Sequence, residues 1–486
     1  MAVTDKDPTE AILLVEQTIG TFNQIVVGQE GQMVPVPGYP DQPTLAERVK
    51  QNLKPSTDAA AGFAAQASAS AKAADDAAKL ASQISGLETV ADAIGMAALP
   101  MPDVWAPLTD SLRLVVGNGR EVKVGDDVVA RYVNYSRSTA ATYTDKNDDM
   151  KVAAINEPRF ERNGLLIGGG NPNLFNKSAA SSYSWISSVL SQSAGSAQLP
   201  FDVFQKTITS SNSAQGSSER VIVDLYSISN PAALAGGPVT VSAYMFGDAD
   251  AIVSASPELK IVADLSITGI SRSVIKINSN TVRIIWSGVI TPGSSSTFGN
   301  FQVTWLNRLQ SVVVGCYQIT MLPFVDSYIP TNGASATRAP DVVTLPQSLN
   351  LVEAQLGFSL AVEFDTVNTG PHRILELSDF SSIIADGASL TIRHAGKEVY
   401  GINAPLGQRH HIAYSVAADG AITVALNGRV LAPQSRSGGA ASSKTSIILG
   451  NRWSGANDRA MYGHLRDLKI WTKKPLTADQ LKVASA

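Results

Sequence analysis

Residues 56–97 are so crowded with alanine, and so free of proline, that a long helix is the regular structure they favour. Alanine has the highest helix propensity and lets helix axes approach closely, yet it buries little area per residue. Through the second half runs a heptad: Ala77, Ile84 and Ala91 hold one seam position, and Leu80, Leu87 and Ile94 the other. Apolar residues spaced alternately three and four apart make a stripe that only another helix can cover. The first half keeps the register with Phe63, Ser70 and Ala73, but Gln66 falls in the seam. The spacing therefore predicts a self-associating stem. A surface helix of a globular domain is the alternative, and the heptads alone leave two, three and four strands open.

At 486 residues the chain has room for about three domains of ~150 residues. Hydrophobic residues make up 44%, ample for cores, whereas the charged share of 16% lies below the usual ~25%. A net charge of −4, with no basic run, argues against a nucleic-acid partner. No window approaches ~20 uninterrupted apolar residues, so no membrane insertion is expected. The opening MAVTDKDPTE lacks the basic and apolar regions of a signal peptide, and synthesis in a cytoplasm is the expectation. Cys316 is the only cysteine, which rules out an intrachain disulfide and a cysteine-built zinc site. Within SVVVGCYQITM it reads as a small buried hydrophobe.

Ahead of the stem, residues 1–55 carry Pro35, Pro37, Pro40, Pro43 and Pro55. A helix over Glu10–Ile19 capped by Thr9, a strand at Ile25–Val27 and an extended VPVPGYPDQP are expected. Such a segment suits an anchoring arm, with a disordered terminus as the alternative. After the stem, residues 98–171 read as a small β collar. Leu112–Val116 and Glu121–Val124 are expected to pair around Gly117-Asn118-Gly119, with a strand at Val128–Tyr135. Ala140–Thr144 and Lys151–Ile155 should pair around Asp145–Asp149. That acidic turn lacks the glycine and the closing glutamate of a calcium loop. Residues 172–344 and 345–486 read as two β-sandwiches of short alternating strands. In the second, Asn427-Gly428 signals a type I′ hairpin, and a capped helix is expected from Thr477 to Lys482.

Three stretches resemble bacteriophage tail-fibre and tail-associated proteins. Ser138–Ile167 holds the words Ala141-Thr142-Tyr143, Asn156–Phe160 (NEPRF) and Gly164–Ile167 (GLLI), although Gly168 stands where the family has glutamate. Asn171–Phe175 (NPNLF), followed by Trp185, is similar to the start of a carbohydrate-binding-module-like sandwich. Asp326–Thr344 (DSYIPTNGASATRAPDVVT) is similar to its closing strand. The last domain resembles the concanavalin-like, laminin-G-like jelly roll through ITVALNGRVL, SIILGN and GHLRDLKIWTKKPLTADQL. The resemblance implies a mainly β fold with an N-terminal α-helical coiled-coil stem, and tandem antiparallel β-sandwiches in a fibrous homotrimer. It also implies a place in the virion, phage tail or neck proteins as partners of the N-terminal arm, and a host glycan or outer-membrane receptor. Calcium is the one ion it brings in, at Asp386, Asn403 and Asp458; otherwise no cofactor is expected.

Local catalytic signatures are missing from the sequence: it has no HExxH, no GxSxG and no phosphate-binding loop. His410 and His411 are neighbours in a strand pattern and should face opposite ways. Sugar binding needs aromatic faces and a few polar groups beside them. Arg452, Trp453 and Tyr462 are the leading candidates for glycan contact, with His372, Arg373, His394 and Tyr400 behind them. Trp286, Trp305 and Trp471 read as core. A receptor-binding fibre without enzymatic activity is the reading that results. A capsule or O-antigen depolymerase or deacetylase, and a purely architectural fibre that docks other fibres, are the alternatives.

Overall fold

A computed structural model describes residues 8–93, 99–175, 190–194, 206–210, 220–228, 236–263, 267–291, 299–306, 308–331, 334–351, 357–377, 381–437, 446–452, 458–472 and 475–486. The chain divides into two compact units, Met1–Ala98 and Leu99–Ala486.

In the first unit, α1 (Pro8–Val27) and α2 (Leu45–Ala93) flank a hairpin of Met33–Val36 and Tyr39–Pro43. The VPVPGYPDQP segment is therefore paired rather than merely extended. A two-stranded hairpin consists of edges alone, and proline is tolerated on an edge. Ile25–Val27, expected as a strand, completes α1 instead. The long helix begins before Ser56 and passes through Pro55. Its start is fixed by buried Thr44, whose hydroxyl accepts from the Glu47 backbone N–H (3.2 Å) and donates to the Gln29 carbonyl (2.8 Å). Glu47 in turn accepts the Gly31 N–H at 2.8 Å. An interior proline costs about 3 kcal/mol, a loss that the remaining ladder of a 49-residue helix can absorb. Leu13, Leu14, Phe22, Leu53 and Phe63 stand exposed on these helices. Ala77, Leu80, Ile84, Leu87 and Ala91 fall within α2; Ile94, the last seam residue, lies outside the described residues.

The second unit is mainly antiparallel β. Its C-terminal sandwich has two eight-stranded sheets, and both recruit strands from the expected collar. In one sheet the central strand Gly357–Thr366, buried along its whole length, lies between His410–Ala417 and Gly463–Thr472. Gly463–Thr472 then pairs with Gly164–Ile167 through its first residues and with Val104–Ala106 through its last. In the other sheet Asn134–Ser136 adds to the edge of Val342–Pro346. One apolar core joins Val104, Leu108, Leu114, Val133, Leu165 and Ile167 to Phe358, Leu360, Leu465 and Ile470. The collar is therefore no separate domain. Its strands are too short to bury a core of their own and complete the later sandwich instead.

The sandwich within 172–344 is an insertion into this fold. Asn171–Asn173 pairs antiparallel with Ala336–Arg338, forming a two-stranded neck where the chain enters and leaves. Between them a six-stranded and a three-stranded sheet enclose a second core containing Trp286 and Trp305, as the sequence indicated. Cys316 and Trp471 are buried too. Residues 112–116 form bridges to Trp105 and Tyr132 rather than a strand; the hairpin partner of Arg120–Val124 is Asp127–Tyr132. The Ala141–Thr144/Met150–Ala153 and Ile422–Leu426/Arg429–Leu431 hairpins form as expected, the latter with positive φ at Asn427 and Gly428. Thr477 and Gln480 make a reciprocal cap for the last helix, Ala478–Ala484.

Candidate functional site

The words that carried the sequence resemblance converge on one buried ionic knot. Asp341 is fully enclosed. Its Oδ1 accepts from Arg137 Nη1 (3.0 Å) and the Tyr135 hydroxyl (2.5 Å), and its Oδ2 from Arg159 Nη2 (2.6 Å) and the Gly168 N–H (2.9 Å). Arg338 pairs with Asp326 at 2.9 Å and donates to the Gly169 carbonyl at 2.5 Å. Burial alone would raise the Asp341 pKa, but the guanidinium groups of Arg159, Arg338 and Arg137 hold it down at about 2. Glycine at position 168 has a physical reason. A Cβ there would lie 2.6 Å from Arg338 Nη2. This knot fixes the inserted sandwich to its host and leaves its own arginines little freedom to take a ligand.

Beside the knot lies a cavity of about 190 Å³. Tyr244 and Arg283 on the outer face of the six-stranded sheet form one wall. The hairpin residues Thr142–Thr144, the 325–328 segment and Asp365, Tyr462 and His464 form the others. His464 spans two carboxylates: Nδ1 donates to Asp365 Oδ1 (2.8 Å) and Nε2 to Glu161 Oε2 (3.0 Å). Glu161 also accepts the Thr144 N–H at 2.8 Å. Burial would lower the His464 pKa, but the bonds to Asp365 and Glu161 outweigh it and raise the ring to about 9. Gly463 permits the close approach of the two strands, since a Cβ would fall 2.0 Å from the Asp365 carbonyl.

Tyr143 separates this cavity from an open groove of about 850 Å³ and lines both. The groove presents the half-buried rings of Tyr132, Tyr143 and Phe160. Exposed Asp110, Arg120, Asn156 and Glu157 stand around them, with the Arg120 guanidinium 5.4 Å from the Tyr132 ring centre. Aromatic faces flanked by a carboxylate, an amide and a guanidinium can stack a pyranose and hydrogen-bond its hydroxyls. None of these residues was singled out from sequence. Tyr143 and Phe160 lay inside the ATY and NEPRF words, and that was the available signal.

Of the patch expected in the last domain, the described residues are placed as follows. His372 is fully buried, 3.1 Å from Thr366 Oγ1 and 2.8 Å from the Gly370 carbonyl, and burial lowers its pKa. His394 is buried against the Phe358 ring. Arg373 is tied to Glu376 at 2.9 Å. Strand alternation turned His372 and His394 inward, where sequence could not distinguish a rim from a core face. Tyr400 is half-buried with Arg436 stacked 4.6 Å from its ring, and Arg452 reaches Asp458 at 4.0 Å. Trp453 and Trp185 lie outside the described residues. Tyr462 is buried against Phe324 and faces the cavity rather than an outer rim.

For calcium, Asp386 and Asn403 both neighbour Ser389 across adjacent strands, whereas Asp458 stands beside Arg452. Among the described residues no group of three or more acidic, histidine or cysteine side chains could hold a metal. In the DKNDD turn, Asp145 accepts the backbone N–H groups of Asn147 and Asp149. His410 is buried and bonded to the Pro405 carbonyl, while His411 lies 3.2 Å from Glu363. No described helix is long and apolar enough to cross a membrane.

No family model matches the chain, and no curated protein matches it. Among solved structures, a heptameric SAP-like pentraxin from Limulus polyphemus is 19% identical over 27% of this chain and 70% of its own, with a TM-score of 0.22. A Trypanosoma rangeli sialidase is 15% identical over 32% of this chain, with a TM-score of 0.24, and the match spans only 27% of that sialidase. Domain 4 of the Geobacillus stearothermophilus arabinanase AbnA, in complex with arabinotriose, is 20% identical over 34% of this chain and 82% of its own, with a TM-score of 0.24. Each likeness covers about a third of this chain or less.

Proposed function

We propose that this chain is a structural protein of a bacteriophage tail fibre or appendage, and that its β unit binds a cell-surface glycan. The observation that carries the binding half is the groove of Tyr132, Tyr143 and Phe160 flanked by Asp110, Arg120, Asn156 and Glu157. The fibre half rests on the sequence words and on the 49-residue helix, with Leu53 and Phe63 exposed in the single chain. In this reading the helices gather three copies, the N-terminal segment anchors them to tail or neck proteins, and the virion is the place of action. Three modest sites on one stem would gain avidity without any new contact.

What supports binding over catalysis is that Asp365 and Glu161, the two carboxylates beside the cavity, both bond His464 and raise its pKa, which disfavours the ring as a base. Purified protein incubated with host glycan is expected to bind it and to release neither reducing ends nor acetate. Release of either product would replace this reading with the depolymerase or deacetylase one.

A further inference from the structure

We infer that the cavity behind Tyr143 is a subsite for an acidic monosaccharide unit, whose carboxylate pairs with Arg283. The inference deepens the glycan-binding reading and rests on it. Arg283 is 7% exposed and lines the cavity. Its Nη2 donates to Ser242 Oγ (2.9 Å) and to the Asp326 carbonyl (2.7 Å), and its plane lies 5.0 Å from the Tyr244 ring centre. Its Nε has no hydrogen-bond partner, and no carboxylate among the described residues forms an ion pair with it. A buried guanidinium with no direct ion pair can be stabilised by an anion bonded to it, and because Glu161, Asp326 and Asp365 line the same cavity that anion sits against Arg283 and away from them.

The rest of the lining says what else the anion carries. Glu161 and Asp365 each have lone pairs left after binding His464, and these can accept hydroxyl protons. Tyr143 and Tyr462 line the cavity beside them. A volume of about 190 Å³ is below the roughly 300–1,000 Å³ of pockets for drug-sized ligands, and suits one sugar ring. Guanidinium, hydroxyl acceptors and aromatic rings together describe a uronic or sialic acid rather than a neutral sugar. Because Tyr143 also lines the groove, an acidic terminal unit could enter the cavity while the rest of the glycan lies along the groove.

The test is calorimetric titration of the full chain with glucuronate, N-acetylneuraminate, the methyl ester of glucuronate, a methyl glucoside and inorganic phosphate. One of the two acid sugars is expected to bind at least about ten-fold more tightly than the ester and the glucoside, and Arg283→Gln to lose about ten-fold or more of that affinity. Inorganic phosphate should bind more weakly than the sugar. The ester comparison needs no variant to fold. Equal binding of acid and ester, or of phosphate and acid sugar, would overturn the inference. So would glycan binding that Tyr132→Ala abolishes but no acid sugar inhibits, and in that case the groove reading would survive. If no glycan binds at all, the functional reading falls with it.

Discussion

Arg159 and Asp341, 182 positions apart, meet at 2.6 Å with both side chains fully buried. The pair couples the strand that opens the GLLI hairpin to the segment that leaves the inserted sandwich. Removing one partner of a buried pair leaves an uncompensated charge, at about 3–5 kcal/mol. Asp341→Asn should lower stability by that order in urea titration, because Arg137 and Arg159 lose the one carboxylate they share. Tyr135→Phe, which removes only a hydroxyl from the same carboxylate, should cost about 1 kcal/mol.

The pH dependence should have two ends. Asp341 is depressed to about 2 in the folded state, so its contribution is present above the ordinary carboxylate range near 3.8 and is lost as pH falls through 2. His464 is raised to about 9, so its contribution is complete below about 6.5 and is lost as pH rises through 9. A shift of that size amounts to something on the order of 3 kcal/mol. Melting temperature should therefore decline between pH 6.5 and 9, and His464→Gln should flatten that slope while lowering the plateau.

Gly168→Ala should destabilise, since its Cβ would sit 2.6 Å from the Arg338 guanidinium. Overpacking of this kind costs about 1–3 kcal/mol. Gly125→Ala serves as the comparison: its Cβ would meet open space, and only its positive φ of 62° penalises the change. A larger loss at Gly125 than at Gly168 would contradict the crowding argument.

Self-association is read from the heptads and from the exposed Leu53 and Phe63. Light scattering on the full chain should give three times the chain mass of 51.1 kDa. Leu80→Asp combined with Leu87→Asp should weaken helical assembly without changing the melting of the β unit. A wild-type monomer at micromolar concentration would remove the trimer from the account.

Much of the fold could be read from period and turn chemistry. The long helix, the burial of Trp286 and Trp471, and the Asn427-Gly428 hairpin all follow from local signals. The insertion of one sandwich into another could not be read that way. Gly164–Ile167 pairs with Leu465 and its neighbours across three hundred residues, and alternation names a strand without naming its partner. The same limit hid the site. His372 and Tyr400 both lie in alternating strands, and sequence could not say that the first is core and the second half-exposed. Tyr132, Tyr143 and Phe160 come from three separate strands, and only pairing brings their rings to one groove.

The most direct test of the account is glycan-array binding by the full chain alongside Tyr132→Ala and Tyr143→Ala. Each substitution removes a stacking face that is only half-buried, so folding should persist while affinity falls roughly ten-fold, the order expected for one lost aromatic contact. Binding of a defined surface glycan by the wild type, weakened in both variants with unchanged melting temperature, is the predicted result. Wild-type binding that both variants retain in full, or no binding to any glycan, would contradict it.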